Sequence, residues 1–129
     1  MQMHKKILLD ANVLVRLFEG ESAAHFDEAV AIMASIESGE VDAMLLDLIA
    51  AEVVYVSRRI YRRDPSEIAQ VLRSIVQLPH VHVENPPVML RALDLYATDN
   101  IDFADAILCA KKEIEGYEIA SFDKRVAGC

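Results

Sequence analysis

Apolar and polar residues recur along this chain with two different periods, and the switches between them mark out the elements. The run Lys6-Ile7-Leu8-Leu9-Asp10 is a short aliphatic stretch bounded by lysines and an acid, which predicts a strand buried on both faces of a parallel sheet. Between Asn12 and Phe18, Val13, Leu14, Leu17 and Phe18 fall at helical spacing and predict a short helix capped by Asn12 and ending near Gly20. A second amphipathic helix is expected from about Ser22 to Ser38 with Gly39 as its stop, and Val41 to Leu46 reads as the next strand. Asp47 then looks like the cap of a helix over about Leu48 to Arg62.

Asp64-Pro65-Ser66-Glu67 places an acid at the cap, proline at the first helical position and glutamate at the third, so a helix should start there and run to about Gln77. His80-Val81-His82-Val83 alternates like a strand, and Asn85-Pro86 repeats the cap-then-proline signal for a helix reaching about Thr98. A last helix is expected over Phe103 to Glu115 with Gly116 as its end, followed by a strand over Tyr117 to Ser121 that runs into Phe122-Asp123. Strands alternating with helices imply a parallel α/β sheet with helices on both faces.

Composition narrows this picture. The 129 residues are 53% hydrophobic, with few Gly or Pro and no repeat or low-complexity segment, so one domain over residues 1–129 is expected. The N-terminus leads into the first strand without the apolar stretch of a signal peptide, and the longest apolar stretch, Ala43 to Val56, is broken by Asp47 and Glu52. A cytoplasmic protein that does not enter the membrane is the expectation. Cys109 and Cys129 lack CxxC spacing and a secretory context, which favours free thiols. The net charge of −8 argues against holding nucleic acid on a broad basic surface, so a polyanionic substrate would need metal ions or a local cationic patch.

Four acids are expected at the top edge of the sheet, where open α/β folds bind ligands: Asp10 and Asp123 close the first and last strands, and Glu52 and Asp105 lie early in helices. Converging carboxylates repel unless a cation lies between them, and oxygen ligands favour Mg²⁺ or Mn²⁺. Each acid also has a plainer reading. Asp10 could form a strand-end turn, while Asp47 and Asp102 could cap helices. Asp105 lies among Phe103, Ala104, Ile107 and Leu108, and Glu52 between Ala50-Ala51 and Val53-Val54, where an unpartnered carboxylate is costly. Arg58-Arg59 and Arg62-Arg63 put four arginines at a helix end, suited either to the helix dipole or to an RNA or protein contact; Arg16 is a further candidate for a phosphate or carboxylate. His80 and His82 would point to one side of their strand as ordinary surface histidines or, with no obvious third ligand, as a metal pair; Met33, Met44 and Met89 read as core.

Leu8-Leu9-Asp10-Ala11-Asn12-Val13-Leu14, Ala51-Glu52-Val53, Asp102-Phe103-Ala104-Asp105-Ala106 and Ala120-Ser121-Phe122-Asp123-Lys124 resemble, in order, the acidic motifs of PIN-domain ribonucleases, and most of all the VapC toxins of toxin–antitoxin pairs. The resemblance implies a PIN-like α/β/α sandwich whose central, mainly parallel sheet has four to five short strands. It implies catalytic, metal-holding roles for Asp10, Glu52, Asp105 and Asp123, accessory roles for Asn12, Asp102 and Ser121, and Arg16, Arg58, Arg59, Arg62 and Arg63 as RNA or antitoxin contacts. It also implies Mg²⁺ or Mn²⁺ as cofactor, RNA cut to leave a 5′-phosphate and a 3′-hydroxyl, a homodimer, and a cognate antitoxin whose peptide enters the site. Ala11 and Ser121 stand where the family often has Thr, and only six residues follow Asp123. Two rivals remain: a haloacid-dehalogenase-type phosphohydrolase using Asp10 as nucleophile, against which Asn12 replaces the usual second Asp, and a catalytically silent interaction module.

Overall fold

The structure is a computed structural model that describes residues 5–129; Met1 to His4, part of the lead judged free of a signal sequence, lie outside the described residues. Three strands, β1 (Lys5–Leu8), β2 (Val41–Leu45) and β3 (Val81–Val83), form a parallel sheet in the order β1-β2-β3. The helices flanking it are α1 (Ala11–Glu19), α2 (Phe26–Glu37), α3 (Asp47–Arg59), α4 (Pro65–Val76), α5 (Pro86–Asp99), α6 (Phe103–Glu115) and the single turn α7 (Lys124–Ala127). The α/β class and the parallel sheet are those the alternation predicts, with three strands in place of four or five.

The register explains how the core is made. Val41, Ala43 and Leu45 of β2 are buried while Asp42 and Met44 between them are partly exposed, so side chains alternate across the pleat. Leu14, Ile36, Leu45, Val53, Ile68, Leu72, Val88, Met89 and Leu93, from the five helices α1 to α5 and the central strand β2, are almost fully enclosed. Met89 is core as expected, whereas Met33 and Met44 are only partly buried. Among the described residues, no helix is long and apolar enough to cross a membrane.

Several expectations are corrected. β1 is an edge strand and Leu8 is 73% exposed, so the opening run is not buried on both faces; only Ile7 and Leu9 turn inward. Tyr117 to Ser121 forms no strand. These residues make no ladder with β1, and all but Ile119 are exposed, because the chain end is fastened to α6 by buried Val126 and by a Cys109–Cys129 disulfide. The two cysteines are therefore bonded, with Cα atoms 5.8 Å apart, rather than free; sequence spacing cannot report such proximity.

Helix ends shift as well. Asp10, not Asn12, caps α1, and its carboxylate accepts a hydrogen bond from the Ala11 amide at 2.7 Å. The second helix starts only at Phe26, after His25 in the left-handed region. Leu46 occupies the cap position of α3 and Asp47 is already helical. α3 stops at Arg59, and Arg62 has φ +54°, so Arg62 and Arg63 do not continue the helix face of Arg58 and Arg59. The starts at Pro65, Pro86 and Phe103 fall where the cap signals place them, and Asn85 accepts from the Val88 amide at 3.3 Å.

Candidate active site

Asp10 follows directly on the last buried residue of the first strand segment: Leu9 donates its amide to the Met44 carbonyl at 3.0 Å, extending the ladder by one bond. The next carboxylate is exposed at the sheet's edge and is held by the first turn of α1. A strand end feeding a helix N-terminus thus fixes it.

Glu52 lies in the second turn of α3 and is exposed in a groove of about 720 Å³. Leu48, Tyr55, Arg58, Arg59 and Glu52 line one wall from α3, and Tyr96, Asp102 and Phe103 line the other. Burial pushes the Tyr96 hydroxyl up, with Arg58 and Asp102 acting on it in opposite senses, which places a cation and a carboxylate beside the same phenol. Tyr96 itself stands edge-on to Phe103 at a centroid distance of 6.1 Å, so the groove floor is a packed aromatic pair. The Arg59 guanidinium lies 5.8 Å from the Tyr55 ring centroid, and Arg58 donates to the Arg63 carbonyl at 3.2 Å.

Asp105 is half-buried in the first turn of α6 and shares a small cleft with Asp102, Asn100, Cys109 and Arg125. Asp102 lines both this cleft and the groove, so a residue taken as accessory links Glu52 to Asp105. Asp123 is exposed at the start of α7. Its carboxylate accepts from the Arg125 amide at 2.9 Å, and its own amide donates to Ser121 Oγ at 3.0 Å. The hydroxyl at Ser121 therefore shapes the turn that carries Asp123.

The structure brings Asp102 together with Glu52 in the groove and with Asp105 in the cleft, and places Asp10 and Asp123 in neither. Among the described residues, no group of three or more His, Cys, Asp or Glu side chains is placed to hold one metal ion. Asn12 lies in a separate hollow with Arg16, His25 and Glu28. Arg16 is ion-paired to Glu19 at 2.7 Å, and Tyr61 also donates to that glutamate, whose carboxyl is held below its ordinary range first by the tyrosine and then by Arg16. Arg63 donates to the Phe18 carbonyl and lies 3.6 Å from Glu67. His80 and His82 both reach Asp42 Oδ1, at 3.2 and 3.1 Å, so each has a carboxylate partner on the neighbouring strand.

An acidic group at the sheet edge was missed in the sequence. The Asp47 amide donates to Glu84 Oε2 at 3.0 Å, and burial followed by repulsion from Glu84 pushes the Asp47 carboxyl up to about 6, with Glu115 adding to this and Lys111 opposing it. The available signal was positional: Asp47 and Glu84 follow the ends of β2 and β3, as Asp10 follows β1, and a strand-end acid with a raised pKa marks a site to consider.

Against known proteins, the PIN domain family model matches residues 7–128. No curated protein and no solved structure matches the chain. The matched span runs from β1 through α7 and includes all four acids of the successive motifs. The chain belongs to the PIN domain family, whose members are generally nucleases.

Proposed function

We propose that this PIN-domain nuclease is an Mg²⁺- or Mn²⁺-dependent endoribonuclease, and that it is the toxin of a toxin–antitoxin pair acting in the cytoplasm. The observation that carries the reading is the family match over residues 7–128 together with four acids in the family's order, Asp10, Glu52, Asp105 and Asp123. Their chemistry fits a hard divalent cation: every donor is a carboxylate, and Mg²⁺ is commonly held directly by one or two carboxylates with waters completing its shell. A bound cation supplies a more acidic water and neutralises charge on the phosphoryl oxygens.

The chain's own residues divide the remaining work. Asp10, Glu52, Asp105 and Asp123 would hold the ion or ions, and Asp102, which lines both the groove and the cleft, would orient its neighbours. Asn12 and Ser121 are accessory, Ser121 through the turn before Asp123. Arg58 and Arg59 present cations along the groove that contains Glu52, supplying the local positive charge that a chain of net charge −8 needs to receive an RNA strand. Arg16, Arg62 and Arg63 are secondary contacts for RNA or for an antitoxin; Arg16 would have to leave Glu19 to serve. Exposed Leu48, Tyr55 and Ile60 on or just beyond α3 support a protein-binding face, consistent with an antitoxin peptide or a second copy.

The test is direct. Purified protein incubated with single-stranded RNA should cut it internally with Mg²⁺ or Mn²⁺ and lose at least about a hundredfold in rate with a chelator. Cleavage that persists undiminished without divalent ions would sink the mechanism. A phosphohydrolase with Asp10 as nucleophile would instead leave a trappable aspartyl-phosphate on a small phosphate ester.

A further inference from the structure

The disulfide lies where its state bears on the site. Cys109 is one turn beyond Asp105 on α6, so the two share a helix face. Both line the cleft that also contains Asp102 and Arg125. Its partner Cys129 ends the segment that carries Asp123 and Arg125. Apart from the bond itself, little holds that segment. Residues 117–129 are exposed except for half-buried Ile119 and buried Val126. The Lys112 Nζ hydrogen bond to the Cys129 carbonyl at 3.1 Å ties the segment to α6, while the bonds of Ser121, Asp123 and Arg125 and the amides of Ala127, Gly128 and Cys129 stay within it. A single helical turn is not stable alone in water, so α7, and with it the carboxylate that caps it, depends on being tethered.

We infer that Cys109–Cys129 is a thiol–disulfide exchange site that latches the C-terminal segment onto α6, and that its reduction releases Arg125 from the cleft containing Asp102 and Asp105 and frees the turn that carries Asp123. The latch is a property of the fold; its effect on RNA cleavage rests on the nuclease reading above. The bond opens into a hollow of about 410 Å³ bordered by Arg91, Lys112 and Glu113. Cys129 is exposed and Cys109 is buried, so the attacking thiolate of a dithiol reductant reaches the Cys129 sulfur. A new S–S bond forms there, the Cys109–Cys129 bond breaks, and Cys109 leaves as a thiolate that takes up a proton. The hollow sets Arg91 and Lys112 against Asp99 and Glu113, with Arg91 paired to Glu113 at 2.7 Å. The reductant's second thiol then attacks its own mixed-disulfide sulfur and releases Cys129. Two electrons pass to the protein, and the reductant becomes a cyclic disulfide. A disulfide oxidant reverses the sequence.

The experiment compares hydrogen–deuterium exchange and RNA cleavage before and after dithiothreitol, with thiols counted in each state. The oxidised protein should show no free thiol and the reduced one two. On reduction, exchange over residues 122–129 should speed up by at least about tenfold while α4 and α5 stay unchanged, as expected for local rather than global opening. Mg²⁺-dependent cleavage should fall at least about fivefold and return on reoxidation with a disulfide oxidant. Cys129→Ser, which alters an exposed position, should behave as the reduced protein and ignore dithiothreitol. Free thiols in the oxidised preparation, or exchange that changes less than about twofold on reduction, overturns the latch. Faster exchange with unaltered cleavage overturns its link to the site. If neither state cuts RNA, the nuclease reading has failed and the exchange data still decide the latch.

Discussion

At the scale of single residues, two carboxylates with different burdens give separable predictions. Asp10 both caps α1 and stands first among the proposed metal-holding acids. Asparagine caps helices about as well as aspartate, so Asp10→Asn should change stability by less than about 0.5 kcal/mol while abolishing RNA cleavage. Asp10→Ala should lose the activity and about 1 kcal/mol as well. Denaturant titration beside a cleavage assay separates the two effects, and an active Asp10→Asn protein would remove Asp10 from the chemistry.

Asp47 makes a prediction of the opposite kind. Its carboxyl titrates at about 6 in the folded chain against about 3.9 when unfolded. Between those values the folded state keeps a proton that the unfolded state has lost, so this group's stabilisation is complete below about pH 4 and declines as pH rises through 6. Asp47→Asn should therefore be more stable than the parent by on the order of 1 kcal/mol at pH 7.5, allowing for solvent screening, and no more stable at pH 4. A stability difference independent of pH would mean that burial and Glu84 do not act on Asp47 as described.

At the scale of elements, most of the architecture was legible because each signal was local. Pro65 after Asp64, Pro86 after Asn85 and the Phe103 start are set by cap and proline chemistry that needs no tertiary partner. What sequence could not show depends on distant residues. Ile7-Leu8-Leu9 has the composition of a central strand, yet β1 lies at the edge, so Leu8 faces solvent. Tyr117-Glu118-Ile119-Ala120-Ser121 has strand-like character but no partner to make it one, and the disulfide joins residues 20 apart in sequence. The site was legible to the same extent: the acids could be named from their motifs, whereas the groove that joins Glu52 to Asp102 and the sheet-edge pair of Asp47 and Glu84 emerge only when helices pack.

The turns between elements can be tested at this scale too. Gly39 has φ +83°, and a Cβ there would come within 2.9 Å of His80 Nε2, while Gly116 has φ +81° with open space around it. Gly116→Ala should cost about 1 kcal/mol from backbone strain alone, and Gly39→Ala should cost more, about 2 kcal/mol, because the His80 ring that contacts Asp42 must also move. Equal losses in urea unfolding would show that the ring gives way freely.

For the whole molecule, the proposed function has a small parallel sheet and its helices present carboxylates to a divalent cation and arginines to an RNA strand. With a net charge of −8 the surface as a whole repels a polyanion, so the proposed function requires both parts. The proposed function assigns the role to Asp10, Glu52, Asp105 and Asp123 from the motifs, and the adjacent Asp47 and Glu84, beyond the ends of β2 and β3, are the alternative pair. The most direct measurement is a crystal structure with Mn²⁺, the ion located by its anomalous scattering. Manganese held by at least two of Asp10, Glu52, Asp105 and Asp123, with Asp102 in hydrogen-bond reach of its waters, is the predicted result. Manganese seated on Asp47 and Glu84 and absent from the motif acids would contradict the account.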